Sequence, residues 1–486
     1  MQHKIKQWLV IKVEEFKNNL TPEMTKGIKG FELCAFLIGL EGWRRGLTLK
    51  YYVDIHKYSD IRTQGKKFIG RNYSLASKNK IHYFNQSRGD LVNNEAVRIA
   101  QSKQKTKNFL NKKGVITLPS IEFRKKDPDD VIIKKAHDIG YPVIVKPTYG
   151  SLSRGVVLNI QNEQQLKKAL TKVRYNLGYK SVILEKYFEG DDIRLYVVNG
   201  KVVASLKRVP ATIIGDGKSN VRELIKAKNK SREHNPYLSA RPIKINDEVH
   251  EVLEAAGYNL ESVLQEGKKL RVKYKSTMDQ GVDLYDITEE IQNHVKQLAV
   301  DTLAALPDII HGSIDMLYDG DNAVVIEVNP SANISMHMFP TEGKPRSIGK
   351  HLMDFYFPET KGKAEVHGNM YFDYLEVINF LKKNFTNYIE IESLPDEKVY
   401  AKQFIVSGKL HKVGYKNWIR RKAIIDNISG FARDRENGDI EIVAASSSTK
   451  AIKKFHDFCA KGPKRAEVTN ILSKDWNKEV KLGFDI

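Results

Sequence analysis

The spacing of apolar and polar positions predicts strands and helices in turn along most of the chain. FELCAFLIGL, residues 31–40, is apolar on every side and reads as a buried helix. KKFIGRNYSLASKNKIHYF alternates with a period of two, the pattern of short strands joined by turns. AVRIAQSKQKTKNFLNKKG returns to helical spacing, and Gly114 is placed to stop it. Strand and helix units then repeat. YPVIVKP is an apolar strand ended by Pro147, LKKALTKVRYNL a helix, and SVILEKYF a strand. DIRLYVVNGKVVASLKRV reads as two strands turning at Asn199-Gly200, a dipeptide suited to a tight hairpin. DITEEIQNHVKQLAVDTLAAL is an amphipathic helix that leads into the strands HGSIDMLYD and AVVIEVNP. The last stretch runs strand, loop, helix, strand, strand, helix, strand. The pattern predicts an α+β chain with an N-terminal α/β region over 1–96, a central domain over 97–357, a linker over 358–395 and a compact unit over 396–486.

Composition narrows the class. Among 486 residues, 41% are hydrophobic and 29% charged, enough for packed cores and against general disorder. No apolar run reaches membrane-spanning length, and the opening MQHKIKQWLVIKVEEF lacks a small-residue cleavage site. Cys34 and Cys459 make neither a metal spacing nor a disulfide framework, so a reducing cytoplasm is the expected home. The formal net charge of +21 suits a polyanionic partner. No recognition helix, zinc finger or aromatic RNA-binding motif accompanies it, so a specific nucleic-acid role is not expected, and the charge is left to help collect an acidic substrate.

Three constellations carry candidate chemistry. In VIVKPTYGSLSRGV a strand delivers Lys146 into a loop holding Gly150, Ser151, Ser153, Arg154 and Gly155. Phosphates need dense N–H donors and a cation, and glycines let the backbone come close; the spacing is not that of a Walker loop. In ILEKYFEGDDIRLYV a buried strand ends in Glu185, followed by a connector around Lys186 to Phe188 and then by Asp191 and Asp192. Such a set can offer an acceptor and flat cover to adenine and a carboxylate to ribose; alone it reads rather as a solvated acidic turn. In GSIDMLYDGDNAVVIEVNP, Asp315 lies on one strand while Glu327 and Asn329 share a face of the next. Three oxygen ligands there suit magnesium, with manganese as the alternative.

Taken in order, SKQKTK, VIVKP, ILEKYFEG, SID and VIEVNP resemble the ATP-grasp superfamily, in particular the ATP-grasp module of cyanophycin synthetases and bifunctional glutathione synthetases. The likeness runs over roughly 97–355 and includes GDDIRLYVVNGKVVASLKRVPATIIGDG, KYKSTMDQGVDLYDIT and EVNPSANISMHMFPTEGKPRSIG. It implies an ATP-grasp fold that activates a carboxylate with ATP and joins it to an amine. On it, Lys103 and Lys146 match the lysines that hold the ATP phosphates, Glu185 the adenine-binding acid and Asp192 the ribose-binding one. Asp315, Glu327 and Asn329 match the magnesium ligands, Arg208 a basic residue near the transferred phosphate, and Arg346 lies in the family's substrate-side loop. Ser153 replaces a glycine of the phosphate loop.

VSGKLHKVGYKNWIRRKA, GFARDRENGDIEIVA and FCAKGPKRAEV resemble acylphosphatase over nearly its whole length, implying a small ferredoxin-like α/β sandwich with a phosphate cradle after its first strand. Both family positions that bind the acyl phosphate and orient water are changed: the arginine is Lys416 and the asparagine Asp434. The glycine before Val413 is Lys412. Lysine keeps the charge but loses the two-pronged fork, so a degenerate module is expected rather than an active hydrolase.

The leading expectation is an ADP-forming carboxylate–amine ligase acting on amino acids or short, acidic peptides, with a homodimer or higher assembly plausible. An acylphosphatase-type hydrolase with a nucleotide-binding partner domain is the alternative, and a non-catalytic basic scaffold the third reading.

Overall fold

The computed structural model describes residues 20–63, 69–115, 117–149, 155–274, 276, 281–383 and 385–486, with the side chain of residue 365 left aside. It divides into two compact units. One holds the described residues up to Gln86 together with Leu352–Ile486; the other is Ser87–His351.

The unit Ser87–His351 is built on two antiparallel sheets. The larger runs in the order Asp283–Asp286, Lys201–Val209, Asp191–Val198, His311–Tyr318, Ala323–Asn329. Its first hairpin turns at Asn199 and Gly200, both at positive φ, as the Asn-Gly signal requires. Helix Asn293–Ala304 covers this sheet through Val295, Ala299 and Leu303, which pack on Ile193, Leu195, Val197 and Ile314. The smaller sheet runs Ser120–Phe123, Val182–Lys186, Val143–Pro147, Val157–Ile160 and is closed by helices Asp129–Ile139 and Glu163–Leu170 over Val143, Val145, Leu166 and Leu184.

One long helix was expected over 96–114. The structure forms two, Asn94–Ala100 and Lys103–Lys112, because Ser102 adopts extended backbone and its hydroxyl accepts a hydrogen bond from Lys105 N, starting a second helix. Likewise only Asn293–Ala304 of the stretch 286–306 is an α-helix, since Thr288 Oγ1 is drawn to Asp286 and to Ser205 O.

In the other unit, helix Gly30–Arg44 is buried along almost its whole length, with Leu33, Phe36, Ile38, Leu40 and Trp43 in the core. Thr48–Tyr52 pairs with Asn72–Ala76 on one side and with Tyr388–Glu390 on the other. The stretch 358–395 thus contributes a strand, and helix Tyr374–Lys382, whose Tyr374 packs edge-on to Phe36 and Tyr51. The C-terminal part is a sheet in the order Glu467–Asp475, Tyr400–Lys409, Ile440–Ser446, Ser429–Asp434, Phe484–Asp485. Helices Tyr415–Ile425 and Thr449–Lys461 pack on it through Ile419, Ala423, Ile452, Phe455 and Cys459, giving the ferredoxin-like sandwich expected from the sequence.

Candidate functional site

The smaller sheet and helix Lys103–Lys112 bring two lysines onto one carboxylate. Lys146, on the strand ended by Pro147, sets its Nζ 2.5 Å from Glu185 Oε1, and Lys107 Nζ donates to Glu185 Oε2. Lys107 also donates to Ser120 Oγ at 2.7 Å and Leu118 O at 3.2 Å. Burial of Glu185 opposes its ionisation, but Lys146 and Lys107 outweigh this and hold its carboxyl below the usual range. Lys103 stands at the first turn of its helix, one turn before Lys107. Burial lowers its pKa, the charge of Lys146 lowers it further, and Glu327 and Glu185 act against both. The mutual influence of Lys103, Lys146, Glu185 and Glu327 places them in one electrostatic neighbourhood.

Lys107 escaped the sequence reading. Its signal was the four-residue spacing from Lys103, which puts both on one face of the helix.

The larger sheet supplies the second half. Asp315 faces Glu327 on one neighbouring strand and Arg194 on the other, by direct register. Arg194 grips Asp315 with two parallel hydrogen bonds, Nε to Oδ1 at 2.5 Å and Nη2 to Oδ2 at 2.6 Å, and Arg208 Nη2 comes within 3.3 Å of Oδ2. Asp315 is buried, which disfavours its charge, yet Arg194 and Arg208 pull its pKa down to about 2. Arg208 is also bonded to Asp192, Nε to Oδ1 at 2.9 Å, and Ser276 Oγ donates to Asp192 Oδ2 at 2.6 Å. Despite burial, Asp315 and Asp192 raise Arg208 above its ordinary value. Asp192 and Arg208 lie opposite each other across the hairpin, so the chain order that separates them by a turn also joins them.

Glu327 is different. It makes no ion pair or hydrogen bond to a described residue, and burial and the neighbouring Asp315 raise its pKa. Asn329, two residues on, shares its face. Among the described residues no group of three His, Cys, Asp or Glu side chains is gathered for a metal. The expected set has only two carboxylates, with the Asn329 amide as third donor. Glu327 and Asn329 are the residues of the expected set whose side-chain oxygens could take a divalent cation; the oxygens of Asp315 are already engaged by arginine.

The remaining expected residues divide. Gly155 has φ +72°, and a Cβ there would come within 2.9 Å of Pro147 Cγ, so only glycine fits. Gly150, Ser151, Ser153 and Arg154 lie outside the described residues. Phe188 is half-buried in the connector after Glu185. Arg346 is held by Asp286, Nη2 to Oδ2 at 2.6 Å, and by Glu289, Nη2 to Oε1 at 3.1 Å. Its backbone N–H donates to His337 O at 2.8 Å, and His337 lies within electrostatic reach of Asp315, Arg194 and Arg208.

In the C-terminal sandwich, Lys416 Nζ is 2.6 Å from Asp434 Oδ2, and His411 Nδ1 is 3.6 Å from Asp434 Oδ1. The two changed positions therefore neutralise each other. Lys412 has φ +61°, the left-handed region that glycine occupies without strain. Hydrolysis of benzoyl phosphate by the full chain is expected to be weak. Lys416→Arg/Asp434→Asn should raise it by about tenfold or more, because the fork is restored and the competing carboxylate removed, about 1.4 kcal/mol of barrier. Robust wild-type hydrolysis would contradict this.

Comparison with known proteins agrees with this division. A RimK-like ATP-grasp family model matches residues 100–231, and an acylphosphatase model matches 402–486. Cyanophycin synthetase of Synechocystis is 30% identical over 54% of this chain and 31% of its own length. The glutathione biosynthesis bifunctional protein of Streptococcus mutans is 26% identical over 70% of this chain and 44% of its own. Among solved structures, a bifunctional glutathione synthetase from Pasteurella multocida is 24% identical over 60% of this chain and 41% of that one, with a TM-score of 0.49. This chain thus spans between 31% and 44% of the length of these relatives. It joins a RimK-like ATP-grasp domain, similar to those of cyanophycin synthetases and bifunctional glutathione synthetases, to a C-terminal acylphosphatase-like domain.

Proposed function

We propose that the chain is an ATP-dependent, ADP-forming carbon–nitrogen ligase that joins an amino acid or short peptide to an amine through an acyl phosphate. The observation that carries this reading is Glu327, a half-buried carboxylate with raised pKa and no ion pair to a described residue, opposite Asp315 across the sheet and within electrostatic reach of Lys103. Such a carboxylate suits a magnesium-bound polyphosphate better than an empty core.

The residues divide the work. Lys103 and Lys146 bind the phosphates, Lys146 turning from Glu185 while Lys107 keeps that carboxylate paired. Glu185, Phe188 and Asp192 form the adenosine side. Arg208, steered by Asp192 and Asp315, faces the transferred phosphoryl group, and Arg346 lies toward the substrate. Glu327 and Asn329 hold the divalent metal, with Asp315 beside them; when bound, the metal neutralises phosphate charge. The substrate carboxylate attacks the γ-phosphorus and ADP leaves; the amine then attacks the acyl carbon and phosphate leaves. Phosphoryl transfer of this kind needs positioning and charge neutralisation more than covalent help. The relatives that share the domain make cyanophycin and glutathione, which supports amino acids or peptides as substrates.

The test is calorimetry of ATP binding with magnesium and with chelator, on wild type and Glu327→Gln. Binding should be at least tenfold tighter with magnesium, and the variant should lose that gain. Equal affinity with and without metal would overturn the assignment.

A further inference from the structure

The cavity of about 980 Å³ in the C-terminal part of the chain belongs to neither site described above. It opens between the start of strand Tyr400–Lys409, the first turns of helix Thr449–Lys461, the end of strand Glu467–Asp475 and the segment 366–369. The phosphate cradle, residues 410–416, lies at the opposite end of that first strand.

Its walls are mainly basic. Lys398, Lys402, Lys450 and Lys453 line it against a single carboxylate, Asp475, which is 3.0 Å from Lys402 Nζ. Three ammonium groups are left unbalanced. Lys450 and Lys453 make no ion pair with any described residue, and Lys398 only overlies the Tyr400 ring at 5.7 Å. Cations gathered on a concave wall repel one another and concentrate anions. The floor is apolar: Phe404, Ile452 and Trp476, with His456 edge-on to Phe404 at 5.2 Å.

We propose that this cavity binds a peptide segment bearing closely spaced carboxylates and apolar side chains. The volume is at the upper end for ligand pockets, roughly 300–1,000 Å³, and exceeds what a lone anion fills. Lysines set a turn apart on one helix act as separate point charges, which suits carboxylates strung along a chain. Apolar side chains interleaved between those carboxylates meet the Phe404 and Trp476 floor.

The test uses the full chain and a fluorescein-labelled hexapeptide of alternating glutamate and leucine, followed by anisotropy. Lys450→Glu/Lys453→Glu should weaken binding by tenfold or more while ATP binding stays unchanged. Both lysines are exposed, so folding should persist, checked by melting. Lys226→Glu/Lys230→Glu makes the same charge change elsewhere and should leave peptide affinity within about twofold. Equal loss in both double variants would reduce the effect to the general positive field. A glutamine–leucine peptide that binds equally, or displacement of the acidic peptide by ADP or inorganic phosphate at equal concentration, would also overturn the proposal.

Discussion

Lys146→Ala is expected to lower turnover on the order of 10²–10³-fold while the protein still folds, the range seen when one preorganised donor to a developing charge is lost. Lys146 is nine-tenths buried, at 9% exposure, and its ammonium contacts Glu185. In most buried pairs, removing one partner strands the other. Here Lys107 still holds Glu185, with Ser120 and Leu118 fixing Lys107 in turn. Lys103 should tolerate the change well, because Lys146 is one of the charges that disfavour its protonation. The loss therefore falls on catalysis. Steady-state ADP release together with a melting curve separates the two effects: a normally melting variant with wild-type ADP release would remove Lys146 from the phosphate site.

Asp315→Leu should do the reverse and strike stability first. The substitution leaves Arg194 buried without its two carboxylate hydrogen bonds, the Met336 sulfur 3.7 Å from its Nη1, and leaves Arg208 with Asp192 as its remaining bonded anion among the described residues. Breaking a buried pair by removing one partner costs about 3–5 kcal/mol. Denaturant unfolding should report a loss of that size. The dependence on pH gives a second check. Asp315 has a folded pKa of about 2, below the ordinary 3.8, so its stabilisation is complete above pH 3.8 and lost as the pH falls toward 2. The gap between wild type and variant should thus be constant at neutral pH and narrow below pH 4. A constant gap down to pH 2 would show that packing, not the ion pair, carries the effect.

Much of this was legible in the chain because it rests on local pattern. Asn199-Gly200 specifies its hairpin, and the strand and helix order of the C-terminal unit follows from its runs between turns, while its sandwich form is what the acylphosphatase resemblance implies. Asp315, Glu327 and Asn329 could be grouped because two adjacent strands with period two decide which residues share a face. What escaped depends on register between distant segments. Arg194 sits in the quoted DIRLYVV stretch, but only its pairing across the sheet, 121 residues from Asp315, reveals its role. The same holds for Tyr388–Glu390, which adds to a strand more than 300 residues earlier. Arg346 could be placed by its family-like loop, but its partners could not: Asp286 and Glu289, ahead of it in sequence, hold the guanidinium. Ser102 was readable as a helix cap, but helical spacing on both sides of it outweighed the single polar signal.

The nucleotide product formed during turnover tests the central proposal most directly. Amino acids and short acidic peptides are supplied in pairs with ATP and magnesium, and nucleotide and condensed product are resolved together by mass spectrometry. The account predicts ADP and phosphate in step with an amide-linked product, with neither formed by Lys146→Ala above about one hundredth of the wild-type rate. AMP and pyrophosphate as the main products would contradict γ-phosphoryl transfer, and with it the roles proposed for Lys103, Lys146 and Arg208.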